Sequence, residues 1–208
     1  MRNLSLHHPY DDTLARHAAG RLAAGPSLVV AVHLAGCCEC RARVALFEAA
    51  GGTLLEEACA IAPPAEMFAA ALRRIEQTVE RAPRRAVTAS PLDALPSPPW
   101  RRLGGGLQWR RLSLPHAPQA RLYMLKIAPQ GRAPRYAHRG AAFIQVLQGA
   151  FHDEYGRYRA GDCIEADDGA AHRPEVDSEC ACVCLAAFES RPRLTGWLGR
   201  LMQPLLGL

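Results

Sequence analysis

The sequence predicts an α+β protein of two domains, a small helical bundle followed by a β-sandwich or barrel. Apolar residues recur at helical spacing over about the first 85 residues. A run rich in proline and serine follows, and beyond it short segments alternate with a period of two and end at glycines. We therefore expect a helical domain at residues 1–85, a linker at 86–101 and a β domain at 102–208.

Composition narrows the class of protein. The 208 residues are 49% hydrophobic and 22% charged, as in ordinary soluble domains. No apolar run approaches the roughly 18 residues that cross a bilayer, and the N-terminus lacks a signal-peptide core. The net charge of +5 comes mainly from dispersed arginines, which favours a solvated surface over direct DNA binding. We expect a cytoplasmic protein without membrane contact, whose eight cysteines serve metal binding or redox sensing.

Four helices are predicted in the first domain. Each has a start or stop signal: an aspartate or serine N-cap, or a flanking glycine or proline. Asp11 or Asp12 would cap the first helix and Ser27 the second. The expected ranges are 13–19, 28–32, 38–50 (ending at Gly51-Gly52) and 65–81.

One HxxxCxxC stretch carries metal-binding chemistry. His33 would lie near the end of the second helix, and Cys37 and Cys40, three residues apart, would share a face of the third. Zinc prefers four nitrogen and sulfur ligands in a tetrahedron, so a fourth ligand is needed, and His7 or His8 can supply it. A bundle of this size has a thin core, and structural zinc can contribute on the order of 10 kcal/mol to its folding. The sequence therefore predicts one structural Zn²⁺.

Short alternating segments fill the second domain. On the last of them Cys180, Cys182 and Cys184 would point to one face. Such a stripe is either small residues in a barrel core or a redox-sensitive cluster, and the spacing does not separate the two. The expected strands are residues 109–114, 122–127, 143–147, 150–153, 158–159 and 181–188.

The zinc motif, followed by Arg41-Ala42-Arg43 and preceded by a histidine pair, resembles the zinc-binding anti-sigma domain of bacterial regulators. It is most similar to the ChrR family, whose members join that domain to a cupin-like jelly roll. The run from Arg139-Gly140 to Gly149, then Tyr158 to Asp162, then His172-Arg173-Pro174 follows the order of a cupin.

The resemblance implies both ligands and partner. By its motif the zinc ligands are His8, His33, Cys37 and Cys40. It also implies that the helical domain binds an ECF-type sigma factor and masks the surfaces that engage core RNA polymerase. In the family, the cupin-like domain is needed for the response to singlet oxygen and related oxidants, and not for sigma capture.

The cupin-like half departs from the family pattern at its metal site. The family uses HxH, a carboxylate four residues on, and a later histidine. Here Tyr136 and Ala142 replace two of those ligands, and only His138 and His172 remain. Two imidazoles with water would bind a metal weakly, so a second metal stays an open question; Tyr136, His152 or Glu154 would have to complete the site. Cys182 and Cys184 match a cysteine pair of the family, which keeps the redox alternative in view.

A different class of function is a metal-dependent cupin enzyme, such as a dioxygenase, with the helices as an accessory. It would bind its metal at His138 and His172. Against it, the sequence contains no nucleophile elbow, phosphate loop or triad spacing, and a zinc with four protein ligands has no open position. A DNA-binding zinc module fits less well, because the ligand spacing is not that of a C₂H₂ finger. The sequence therefore favours a regulator that is not an enzyme.

Overall fold

The structure is a computed structural model that describes residues 6–78, 90–167, 171–176 and 179–194. Helices come first and strands follow, as the sequence predicts. The helices are α1 (Asp11–Ala18), α2 (Ala24–Gly36), α3 (Cys38–Glu56) and α4 (Ala65–Thr78). The strands are β1 (Arg101–Gly104), β2 (Leu107–Leu114), β3 (Ala117–Ile127), β4 (Tyr136–Ala137), β5 (Ala142–Gln148), β6 (Ala150–His152), β7 (Arg157–Arg159), β8 (Cys163–Ala166), β9 (Ala171–His172), β10 (Cys182–Phe188) and β11 (Arg193–Leu194).

The strands form a cupin-like β-sandwich. Its main layer is a six-stranded antiparallel sheet in the order β1-β2-β3-β10-β5-β8. Two smaller sheets, β11-β4-β9 and β6-β7, contribute the rest. The order is not sequential, because β10 inserts between β3 and β5, and this crossover is a feature of jelly-roll folds.

Side chains of the main sheet alternate between two hydrophobic clusters. On β5, Ile144 and Val146 belong to the cluster inside the sandwich, and Phe143 belongs to a second cluster on the outer face. This alternation follows from the two-residue period of a strand. Both faces of the sheet are therefore buried, one inside the sandwich and one beneath a helix.

Helix α2 covers that outer face. Val29 is fully buried in the outer cluster, while Val30 packs into a third cluster with Leu14 and Val44 of the helical part. Gly25 faces the sheet, and a Cβ built on it would lie 3.4 Å from the Cβ of Ala187, an ordinary contact distance. A helix that is apolar on all sides is typical of burial between two layers, and α2 joins the helical core to the sheet.

Four predicted helix boundaries are wrong, among them the end of α2, which continues past residue 32 to Gly36. Helix α2 begins at Ala24, and Ser27 lies within it, its Oγ 3.1 Å from His17 Nδ1. Pro26 is tolerated there because the N–H groups of the first helical turn have no acceptor within the helix, so the N–H that proline lacks is not needed. Helix α1 has Tyr10 as its N-cap, without a side-chain hydrogen bond. Helix α3 continues through Gly51-Gly52 to Glu56, since glycine weakens a helix by about 1 kcal/mol without ending it.

The remaining predictions differ at the edges of elements. Helix α4 is described to Thr78, and the predicted end at residue 81 lies outside the described residues. Within the predicted linker, Leu92, Leu95 and Trp100 pack against the outer cluster, so this part of the linker contacts the sheet. Strand β10 begins at Cys182, which leaves Cys180 outside it and exposed. Among the described helices none is both long and apolar enough to span a bilayer.

Candidate metal centre

Four side chains of the helical part converge on one point. One ligand atom from each of His8, His33, Cys37 and Cys40 lies within 4.8 Å of every other. The Nδ1 atom of His8 is 3.5 Å from Cys37 Sγ and 3.3 Å from Cys40 Sγ. Zinc–ligand bonds of 2.0–2.3 Å give tetrahedron edges of about 3.3–3.8 Å, so these separations suit a shared metal ion.

The junction of α2 and α3 fixes three of these residues. His33 lies in the last turn of α2, and Cys37 is at once the C-cap of α2 and the N-cap of α3. Its Sγ accepts a hydrogen bond of 3.4 Å from the backbone N–H of Cys40. Arg41 donates to the carbonyl oxygens of Leu34 (2.6 Å) and Ala35 (3.3 Å), which closes the end of α2. The first turn of α3 therefore points a backbone N–H at the Cys37 sulfur.

Burial makes the centre depend on a cation. His33 is 2% exposed and Cys40 is fully buried. Burial, reinforced by the neighbouring Cys37, raises the pKa of Cys40 to about 12. Burial also lowers the pKa of His33, which keeps its imidazole neutral and able to act as a ligand. His33 Nε2 is buried and has no hydrogen-bond partner among the described residues. A divalent ion would bind this atom and favour both thiolates.

Two further residues contact the histidines of the centre. Gln145, on β5, places its Oε1 3.0 Å from His33 Nδ1, and Glu39 Oε2 is 3.7 Å from His8 Nε2. Such outer contacts orient metal-binding histidines. Glu39 had a sequence signal, since it lies between the two cysteines. Gln145 had none, because it is 112 residues from His33 and belongs to the other half of the chain.

The choice between His7 and His8 is decided by their orientation. His8 is in the cluster, whereas His7 turns to the sheet, with Nδ1 3.3 Å from Asp162 Oδ2. Cys38, between the two clustered cysteines, is exposed, as its position on α3 predicts. The structure thus brings together the four residues that the family resemblance implies.

The cupin-like half brings only two of the family's metal ligands together. His138 and His172 stack with ring centroids 5.8 Å apart, and both Nε2 atoms are buried without a partner in the described part of the chain. Their Nδ1 atoms are used: that of His138 lies 2.7 Å from Gly140 O, and that of His172 lies 3.0 Å from Asp153 Oδ2. Among the described residues no third metal ligand joins them. The ligand set therefore falls short of a cupin metal site.

The residues that replace the family ligands do not restore the site. Ala142 is fully buried and apolar, and burial raises the pKa of the Tyr136 hydroxyl strongly, which keeps it protonated. Glu154 instead accepts a hydrogen bond from the Arg173 backbone and pairs with Arg135, and His152 Nε2 lies 3.9 Å from a Glu175 oxygen.

An apolar cavity of about 80 Å³ lies close to His138, because Tyr136 and Phe188 line the cavity and their rings also neighbour that of His138. Cys182 and Cys184 line it, with their sulfurs 3.7 Å apart. A hydrogen bond with Cys182, then burial, raises the pKa of Cys184. The Cys184 thiol is therefore protonated in the resting protein, which limits its reactivity. The role of the two cysteines in redox sensing stays a prediction.

Known proteins resemble this chain both in its cupin-like half and over nearly its whole length. The model of the ChrR cupin-like domain matches residues 94–190. The anti-sigma-E factor ChrR of Cereibacter sphaeroides is 39% identical over 208 residues, which covers 95% of this chain and 96% of the relative. The chain belongs to the ChrR family of anti-sigma factors. A chain in the crystal structure of Rhodobacter sphaeroides SigE in complex with the anti-sigma ChrR matches with a TM-score of 0.76 and 37% identity, over 89% of this chain and 100% of that chain. As a member of the ChrR family, the chain is a regulator rather than an enzyme, although its fold is that of a cupin.

Proposed function

We propose that this protein is a cytoplasmic anti-sigma factor that binds and inhibits an ECF-type sigma factor, and that binding requires zinc. The observation that carries the proposal is the ChrR likeness over nearly the whole chain together with the His₂Cys₂ cluster. The relative of known structure is found in complex with a sigma factor, SigE, which supports the class of partner.

Zinc has a structural role in this proposal. His8, His33, Cys37 and Cys40 would hold one ion, and four protein ligands leave no coordination position for a substrate. The ion would tie the segment before α1 to the junction of α2 and α3. The binding free energy of the ion then becomes folding free energy, so the helices keep their shape only while it is bound.

The far ends of the helices offer a surface for the sigma factor. Leu54 and Leu55 of α3 and Phe68, Leu72 and Ile75 of α4 are all exposed. Exposed apolar side chains repeated along one helix, as on α4, mark sites of protein–protein contact. They lie on the helical part, which is the part that the ChrR resemblance assigns to sigma binding.

The two halves divide the work in this proposal. Residues 1–85 capture the sigma factor, residues 86–101 connect, and residues 102–208 respond to an oxidative signal such as singlet oxygen. The cysteine pair Cys182 and Cys184 is the candidate for sensing, since the second metal site lacks two of its ligands.

Co-expression with an ECF sigma factor of the same organism tests the proposal. The complex is purified by a tag on the sigma factor, and its zinc is measured. We expect one zinc per chain, and we expect Cys40→Ala to lose both zinc and the sigma factor. Cys38→Ala is the matched control, because Cys38 is exposed and outside the cluster, and it should behave as wild type. Zinc-free Cys40→Ala protein that still captured the sigma factor would refute zinc dependence.

A further inference from the structure

Two acceptors contact the ring of His33, the Gln145 side chain and the Gly161 backbone. The hydrogen bonds around Gln145 favour a proton on Nδ1 of His33. Gln145 is buried on β5, and its Nε2 donates to the carbonyl oxygen of Val146 at 3.1 Å. A carbonyl oxygen can only accept, so the amide nitrogen must face Val146 and the amide oxygen must face His33. At 3.0 Å, Gln145 Oε1 then accepts from His33 Nδ1–H. This leaves the lone pair on Nε2, the ring nitrogen that is buried without a hydrogen-bond partner among the described residues and so is free to bind a metal ion.

We propose that Gln145, a residue of the cupin-like sheet, positions His33 for zinc and thereby gives the sheet control over the zinc affinity of the helical part. The inference rests on the proposed function only in taking zinc as the ion. Metal-binding histidines commonly donate their other N–H to such a partner, and loss of the partner typically lowers metal affinity 10- to 100-fold.

Strand β5 connects this contact to the inside of the sandwich. Ile144 lines the apolar cavity, and the next residue, Gln145, points to the opposite face because strand side chains alternate. In register, Gln145 lies opposite Leu185 of β10 and Cys163 of β8, and both neighbours are fully buried. The strand is therefore packed on both edges and both faces. A shift of β5 caused at the cavity would displace the acceptor that holds His33, and zinc would bind less tightly.

Variants of two glutamines on the same strand separate positioning from packing. Gln145→Leu removes the acceptor at nearly constant volume, and Gln145→Glu retains an acceptor oxygen. Gln148→Leu is the matched control, because Gln148 is exposed at the end of β5. Zinc affinity of the full chain is measured by competition with a chromophoric chelator. We expect Gln145→Leu to weaken binding 10- to 100-fold, Gln145→Glu to restore at least part of the loss, and Gln148→Leu to stay within twofold of wild type.

Nitrogen-15 spectra of the histidine rings supply a readout that does not depend on affinity. In the zinc-loaded wild type, His33 should carry its proton on Nδ1 and bind zinc through Nε2. In zinc-free Gln145→Leu protein, the share of the Nδ1–H form should fall. Zinc bound through Nδ1 in the wild type, or Gln145→Leu affinity within twofold of wild type, would overturn the inference. Sigma capture by the same wild-type sample is scored separately, so failure of the anti-sigma function is distinguishable from failure of the Gln145 contact.

Discussion

Asp162 and Glu165, three residues apart at β8, both hold the N-terminal segment, but the pKa of Asp162 is lowered and that of Glu165 is raised. Asp162 Oδ1 accepts from the backbone N–H of Leu6 at 2.8 Å, and Glu165 Oε1 accepts from that of Tyr10 at 2.8 Å. His8 lies between these two anchors, so the cupin-like sheet holds the segment that delivers this ligand. Burial would raise the pKa of Asp162, but hydrogen bonds from the backbone and from the side chain of His7 outweigh burial and lower this pKa. Burial raises the pKa of Glu165.

We expect Asp162→Asn to lower the free energy of unfolding at pH 7. The carboxylate is fully buried and also accepts from the Arg159 backbone, so the substitution removes charge-assisted hydrogen bonds worth about 1–3 kcal/mol. A lowered pKa means that the ionised form stabilises the folded state above the ordinary value of 3.8, and that this contribution disappears as the pH falls through the folded value. The difference between wild type and variant should therefore shrink below about pH 4.

Urea unfolding at several pH values measures this difference. Asp167→Asn is the matched control, because Asp167 is an exposed aspartate just after β8. It should leave the unfolding free energy within about 0.5 kcal/mol of wild type. Equal stability of Asp162→Asn and wild type at neutral pH would show that the anchor contributes nothing.

Glu165→Gln should leave the protein as stable as wild type at pH 7, or more stable by less than about 1 kcal/mol. The amide can still accept from the Tyr10 backbone, and its nitrogen can donate to the Thr13 hydroxyl, whose oxygen is 3.0 Å from Glu165 Oε2. Since the folded pKa of Glu165 is raised, the wild type gains stability as the pH falls from that value toward the ordinary 4.5. Any advantage of the variant should thus vanish near pH 4.5, again by urea unfolding. An advantage that grew on acidification would contradict the raised pKa.

Local patterns were enough to predict the core of the metal centre. His33, Cys37 and Cys40 lie within eight consecutive residues, so a helix junction must bring them together. His8 is more distant, and it was singled out from His7 only by resemblance to the ChrR family. The strands of the sheet were also visible: burial alternates with a two-residue period along β2, whereas β10 and the middle of β3 are buried continuously.

Contacts between the two halves could not be predicted in this way. Gln145 reaches His33 across 112 residues, and the bonds from the segment before α1 to Asp162 span 155–156 residues. No local period or motif encodes such pairs, because they depend on how α2 lies on the sheet. Ser27 shows the same limit: its sequence fits an N-cap, but the helix begins at Ala24, and its first turn packs against Ala187 of the sheet.

The packing of α2 on the sheet predicts a size limit at Gly25. A Cβ there would meet Ala187 Cβ at 3.4 Å and Ala120 Cβ at 3.8 Å, which are ordinary contact distances. Gly25→Ala should therefore be tolerated, while Gly25→Leu should push the helix from the sheet and cost about 1–3 kcal/mol of unfolding free energy. We expect Gly25→Leu also to weaken zinc binding, because His33 would move away from Gln145. Urea unfolding and chelator competition measure both effects, and wild-type behaviour of Gly25→Leu would show that α2 does not pack tightly here.

The exposed apolar residues of α4 predict where the sigma factor binds. Phe68 is 72% exposed and Leu72 is 44% exposed, and their spacing of four residues places them on one face. A charge at either position should lower sigma affinity at least tenfold, about 1.4 kcal/mol, because it would be buried unpaired in the interface. Zinc content and unfolding should stay unchanged, since neither side chain is buried in the free protein.

Titration of Phe68→Asp and Leu72→Asp with labelled sigma factor measures the loss of affinity. Tyr155→Asp, at a residue 61% exposed in the cupin-like half, is the control that should bind normally. Wild-type affinity of both α4 variants would place the sigma factor on another surface.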